Sequence, residues 1–125
     1  MEYAYKPKGK SAKTQGSGLR VSKKASMSVC RAINKKSLQK AKALLSSIAE
    51  GSESLDGKYY TNATKEVLSL LESAERNAEA SGLDTTRLIV HAAVHKGFSY
   101  YTPKRFKLRG RKKKLTNVQI VLEQK

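Results

Sequence analysis

The sequence predicts an α+β fold in which three helices precede two strands, and the strands are joined by a long cationic protrusion. Apolar residues recur at helical spacing over three stretches between residues 22 and 82. The texture then turns β-branched at 88–94 and again at 118–122. Between these strands lie residues 104–114, eight of them basic.

Residues 1–18 carry Lys6, Lys8, Lys10 and Lys13 among Gly, Ser and Gln, with almost nothing to bury. They read as a basic N-terminal arm that only a partner would order, ahead of a single domain over 19–125. Leu19-Arg20-Val21 suits a short strand. Ser22 is then placed to cap a first helix with Ala25, Val29 and Ile33 at i, i+4 and i+8. Asn34, Lys35 and Lys36 interrupt it, and Ser37 can cap a second helix built on Leu38, Ala41, Leu44, Leu45 and Ile48. Gly51 ends that helix. A polar connection follows to a third helix starting near Thr61 or Asn62, whose stripe runs Ala63, Val67, Leu70, Leu71, Ala74 and Ala78. Ser81-Gly82 stops it.

The chain of 125 residues carries a formal net charge of +16. A single small domain with that excess repels itself unless a polyanion or counterions neutralise it. The charge is also segregated: residues 1–49 sum to +11, 50–84 to −5 and 85–125 to +10. Two basic ends therefore flank an ordinary amphipathic middle. No run of consecutive apolar residues exceeds three, far below the roughly 20 of a membrane span or the 7 or more of a signal segment. A soluble, intracellular protein is expected, with no membrane span. The lone Cys30 sits in a helical pattern and reads as a small packed side chain in a reducing compartment.

The informative segment is Lys104, Arg105, Lys107, Arg109, Arg111, Lys112, Lys113 and Lys114, set between apolar strands. Only the strand ends can pack on helices, so residues from about 97 to 116 must project as a long hairpin or loop. Ten residues per arm would reach about 30 Å. Such a ribbon is marginal in water without any repulsion, so it needs a mould. Arg grips phosphate with a planar fork and Lys with a mobile charge, while Tyr100, Tyr101 and Phe106 can stack on unpaired bases. RNA fits this composition better than duplex DNA. His91 and His95, on one strand face, are about 13 Å apart and cannot share a zinc ion. No nucleophile-base-acid set and no phosphate-cradling Gly loop is visible, and the basic C-terminal third has Glu123 as its one carboxylate side chain. No enzyme, cofactor or metal site is expected.

Three segments in order, Ala74-Glu75-Arg76-Asn77-Ala78-Glu79, Gly82-Leu83-Asp84 and Val90-His91-Ala92-Ala93-Val94-His95-Lys96-Gly97, resemble a large-subunit ribosomal protein family. It is numbered twenty-two in bacteria and archaea and seventeen in eukaryotes, and the archaeal and eukaryotic branch is the more similar. The resemblance covers roughly residues 19–123. It implies three helices packed on a small antiparallel sheet, with a long protruding basic hairpin over about 88–122. It further implies binding to large-subunit ribosomal RNA, support of its assembly, and a finger that lines the nascent-peptide exit tunnel. The implied setting is the cytoplasm, in the large subunit, among neighbouring ribosomal proteins and near the nascent peptide, with no homo-oligomer. Carried over by position, Lys23 and Lys24 match a basic start of the first helix. Asn77 matches an asparagine whose amide could bond backbone or RNA. Together with Arg20, His95 and Lys96, these join the cations and rings named above as expected RNA contacts. Departures concentrate at the tip, where six residues separate Pro103 from Gly110-Arg111.

A free-standing DNA-binding protein is the alternative, with the first two helices as a helix-turn-helix. A recognition helix should offer several base-reading side chains, and residues 37–50 offer only Gln39.

Overall fold

A computed structural model describes residues 2–125. Helix α1 spans Lys23–Ile33, α2 Leu38–Glu50 and α3 Thr61–Ala80. Ser22 and Ser37 hold the N-cap positions with extended backbone, as the sequence predicts, although neither hydroxyl makes a capping hydrogen bond. Gly51 closes α2 in the left-handed region at φ 83°, where a side chain would be strained. The α3 stripe is real: Ala63, Val67, Leu71, Ala74 and Ala78 are buried, and Leu70 packs against the same core from its margin.

Strands β1 (Ser11–Leu19), β2 (Leu88–Tyr101) and β3 (Lys112–Gln124) form one antiparallel sheet in the order β1-β3-β2. The central strand is therefore the last in sequence. Its residues Val118, Ile120 and Leu122 are fully buried, and with Leu88 and Val90 they face Val29, Ile33, Leu45, Val67 and Leu71 of the helical layer. Three helices packed on a small antiparallel sheet, the expected architecture, is what the chain adopts.

The expectation that residues 1–18 form an arm ordered only by a partner does not hold for the described residues. Ser11–Leu19 is a strand paired to β3 from Ser11↔Glu123 to Leu19↔Thr116. Composition hid it because its inward positions are small. A Cβ on Gly16 would stand 2.9 Å from Leu19 and 3.0 Å from Leu70, so α3 approaches β1 closely only because nothing is there. The short strand expected at 19–21 is the end of β1, and Arg20 and Val21 lie in the turn to α1.

The residues before β1 cross the sheet face opposite the helices as a strap. The Ala4 amide donates to Gln119 Oε1 at 3.0 Å, and Gln119 Nε2 donates back to the Glu2 carbonyl at 2.8 Å. Tyr5 stacks on His91, with ring centroids 3.7 Å apart, and its hydroxyl donates to Glu123 Oε2 at 2.5 Å. The Lys8 amide donates to the other Glu123 oxygen at 3.1 Å. These donors hold the Glu123 carboxyl below its ordinary pKa, the Tyr5 hydroxyl first among them. His91 is pushed the other way from a charged state: desolvation lowers its pKa most, and Lys125 and Lys35 add to the effect against the pull of Glu123.

Candidate nucleic-acid interface

Beyond Thr116, which pairs with both Leu19 and Lys96, β1 ends and the sheet narrows to the two-stranded ribbon of β2 and β3. The ribbon is the predicted finger, with pairs Ser99↔Lys114, Tyr100↔Lys113 and Tyr101↔Lys112. The strands run further toward the tip than their apolar text, because Lys112, Lys113 and Lys114 belong to β3 and not to the tip. Residues 102–111 are not extended. Main-chain bonds Phe106 N to Pro103 O, Arg109 N to Phe106 O and Arg111 N to Leu108 O fold them into successive turns. Arg109 and Gly110 both have positive φ, 42° and 76°, which suits the tight reversal between Leu108 and Arg111. The arms are five strand residues, 97–101, on one side and four, 112–115, on the other, and reach at most about 17 Å. This is about half of what ten extended residues would span.

At the tip, Lys104, Arg105, Lys107, Arg109 and Arg111 are all exposed, as are Lys112 and Lys114 on the ribbon, with Lys113 half-buried. Among the described residues none of these cations has an ion-pair partner. The ion pairs among the described residues are Lys42 with Glu75 at 2.6 Å between α2 and α3, the exposed Lys6–Glu2 and Arg87–Asp84 contacts, and a largely buried His91–Glu123 contact that is ionic only if His91 is protonated. Tyr100, Tyr101 and Phe106 expose 39%, 69% and 54% of their surface, enough to offer a ring face to a partner.

At the root of the finger, side chains far apart in sequence converge. Lys23 and Lys24 from the first turn of α1, Lys96 from β2 and Lys114 from β3 line a cleft of about 470 Å³ floored by Val21, Leu115 and Thr116. Thr116 ties the floor together by donating from Oγ1 to the Val21 carbonyl at 2.7 Å. A second depression against it adds Arg20, Tyr100 and Lys113. Six cations with no carboxylate among the lining residues make this root an anion-attracting concavity.

The remaining predicted contacts are placed elsewhere. Lys6, Lys8 and Lys10 are exposed on the strap or just before β1 and line neither depression. Lys13 projects from β1, its Nζ 5.5 Å from the centre of the Tyr3 ring. The Asn77 amide donates to the Lys13 carbonyl at 3.1 Å, so of its two possible uses the backbone bond is made here, fastening α3 to the outer edge of β1. His95 is half-buried, with Nε2 3.3 Å from Asn117 Nδ2. Sequence reasoning passed over Phe98, the most exposed of the large apolar side chains at 72%. The available signal was an apolar ring next to Lys96-Gly97, where a strand leaves its core. Cys30 is buried, and burial pushes its thiol up to about 12, which removes it as a nucleophile.

A helical layer on a three-stranded sheet, prolonged by a cationic finger with a basic root, is the build of a small, strongly basic α+β protein. The pattern that defines the ribosomal protein L22p/L17e family matches residues 14–123, and the chain belongs to that family. Among its relatives, the large ribosomal subunit protein uL22 of Archaeoglobus fulgidus is 34% identical over 98% of this chain and 96% of its own length. The proteins of the same description from Methanococcus aeolicus and Sulfolobus acidocaldarius are 30% and 32% identical. They cover 92% and 93% of this chain, and 90% and 91% of their own lengths.

Proposed function

We propose that this chain is a structural constituent of the large ribosomal subunit. It binds large-subunit ribosomal RNA through the finger and its root, supports the folding of that RNA, and extends the tip along the exit tunnel toward the nascent peptide. One observation carries this reading: a finger crowded with unpaired cations rises from a cleft where two of them, Lys113 and Lys114, meet four more, Arg20, Lys23, Lys24 and Lys96. Family membership and the description of its relatives as large ribosomal subunit proteins support it.

Three ribbon pairs outside the sheet are too few to hold a shape against mutual repulsion, so RNA phosphates supply the missing half of each ion pair. Binding then releases counterions and weakens steeply with salt. The work is binding and shaping, with no bond made or broken, and its setting is the cytoplasmic large subunit among neighbouring ribosomal proteins.

The DNA-binding alternative is weakened by the connection between α1 and α2. Lys35 N donates to the Val90 carbonyl, Val90 N to the Lys36 carbonyl, and Ser37 bridges Ile89, so that connection is clamped to the edge of β2. A helix-turn-helix needs that corner free to enter a groove. Sedimentation tests the choice: the chain is expected with the large subunit in moderate salt, and its recovery on chromosomal DNA instead would defeat the ribosomal reading.

A further inference from the structure

We propose that the Phe98 ring is a stacking platform for an unpaired RNA base at the root of the finger. The inference rests on the ribosomal RNA reading and adds to it a contact that is not ionic.

The ring is presented by a device in the backbone. Lys96 pairs with Thr116 and Ser99 with Lys114, so Gly97 and Phe98 together oppose Leu115 in a β-bulge. Bulges re-aim side chains. This one also demands glycine, because a Cβ at position 97 would lie 2.8 Å from Asn117 Oδ1 and 3.0 Å from the Leu115 carbonyl oxygen. The bulge leaves Phe98 72% exposed.

A single exposed Phe is common on protein surfaces. Here both phenylalanines of the chain stand on the finger, and the segment 96–114 contains nine basic residues and no acidic one. An apolar pocket on a neighbouring protein would suit the ring but would leave nine cations to be desolvated without partners. RNA supplies phosphates for the cations and a π face for the ring in the same molecule.

The chain contains no tryptophan, so Phe98→Trp introduces a single indole at the position in question, one that can be excited selectively over the six tyrosines. Titration with large-subunit ribosomal RNA should quench it, while a fully paired RNA duplex, which offers no free base, should bind and leave it bright. Tyr59→Trp, on the acidic connection between α2 and α3, should stay bright with both. Phe98→Ala should bind the ribosomal RNA about 5- to 150-fold more weakly at every salt concentration, with the slope of log affinity against log salt unchanged. Wild-type affinity in Phe98→Ala, or a Phe98→Trp emission that stays bright on bound ribosomal RNA or dims equally on the duplex, overturns the inference and leaves the RNA reading standing. A wild-type chain that fails to bind the ribosomal RNA at all removes that reading and the inference with it.

Discussion

Replacing Lys104, Arg105, Lys107, Arg109 and Arg111 together by Ala separates binding from folding. All five side chains are exposed, and the turns that shape the tip are closed by main-chain bonds that truncation leaves in place. Surface changes of this kind move stability by less than about 0.5 kcal/mol each, so the urea midpoint of the helical domain should stay near that of the wild type. Binding behaves differently. Each phosphate neutralised on a flexible strand contributes about −0.7 to the slope of log affinity against log salt, so losing five shifts it by about 3.5. Between 50 and 200 mM salt that difference amounts to about two decades of affinity. The wild-type chain should therefore lose about 100-fold more affinity than the variant across the same range. Filter binding to ribosomal RNA at four salt concentrations reads it directly. An unchanged slope would show that the tip does not anchor the complex, and a large drop in the urea midpoint would show that these residues hold the domain together.

Two further perturbations address the fold. Leu71→Ala empties a fully buried site where α3 meets the sheet and should cost about 2–5 kcal/mol in urea unfolding. The strap should loosen in acid. Glu123 has a lowered folded pKa, so its contribution is complete above the ordinary value of 4.5 and disappears as pH falls through the lower folded value. His91, also lowered, adds a penalty that grows as pH falls below 6.5, where the unfolded ring takes up a proton more readily. Amide exchange at Ala4 and Lys8 should accelerate as pH drops through both windows, after correction for intrinsic rates. Glu123→Gln should abolish the lower window only.

Much of this architecture was legible because the helices announce themselves. Ser22, Ser37 and Gly51 mark boundaries that the structure keeps, and the stripe of α3 predicts its buried apolar residues with Leu70 at the margin, while the buried Thr64 falls outside it. Strands were visible only where β-branched and other apolar residues cluster, at 88–94 and 118–122. Lys112 to Lys114 concealed the start of β3, since a run of lysines has low strand propensity and gains its pairing from β2 across the ribbon. Strand β1 was hidden by the smallness of Ala12 and Gly16, although Ala12, Thr14 and Gly16 do alternate with Lys13, Gln15 and Ser17. The site divides the same way. Density of charge located the finger, but the convergence of Lys23, Lys24, Lys96 and Lys114 depends on pairings across some ninety residues that no local pattern encodes. Asn77 could be flagged but not assigned, because its partner Lys13 belongs to the strand that went unseen.

The placement of β3 between β1 and β2 sets a timetable for biosynthesis. Residues 11–19 have no sheet partner until residues 116–123 have been made, since the pairs run from Ser11↔Glu123 to Leu19↔Thr116. During elongation the helices can form early from local contacts, while β1 and then β2 wait as lone strands. A chain stalled before residue 116 therefore offers a helical cluster with an open apolar underside, a natural target for chaperones or proteases. Synthesis of β3 supplies the partner of both ladders and covers that underside.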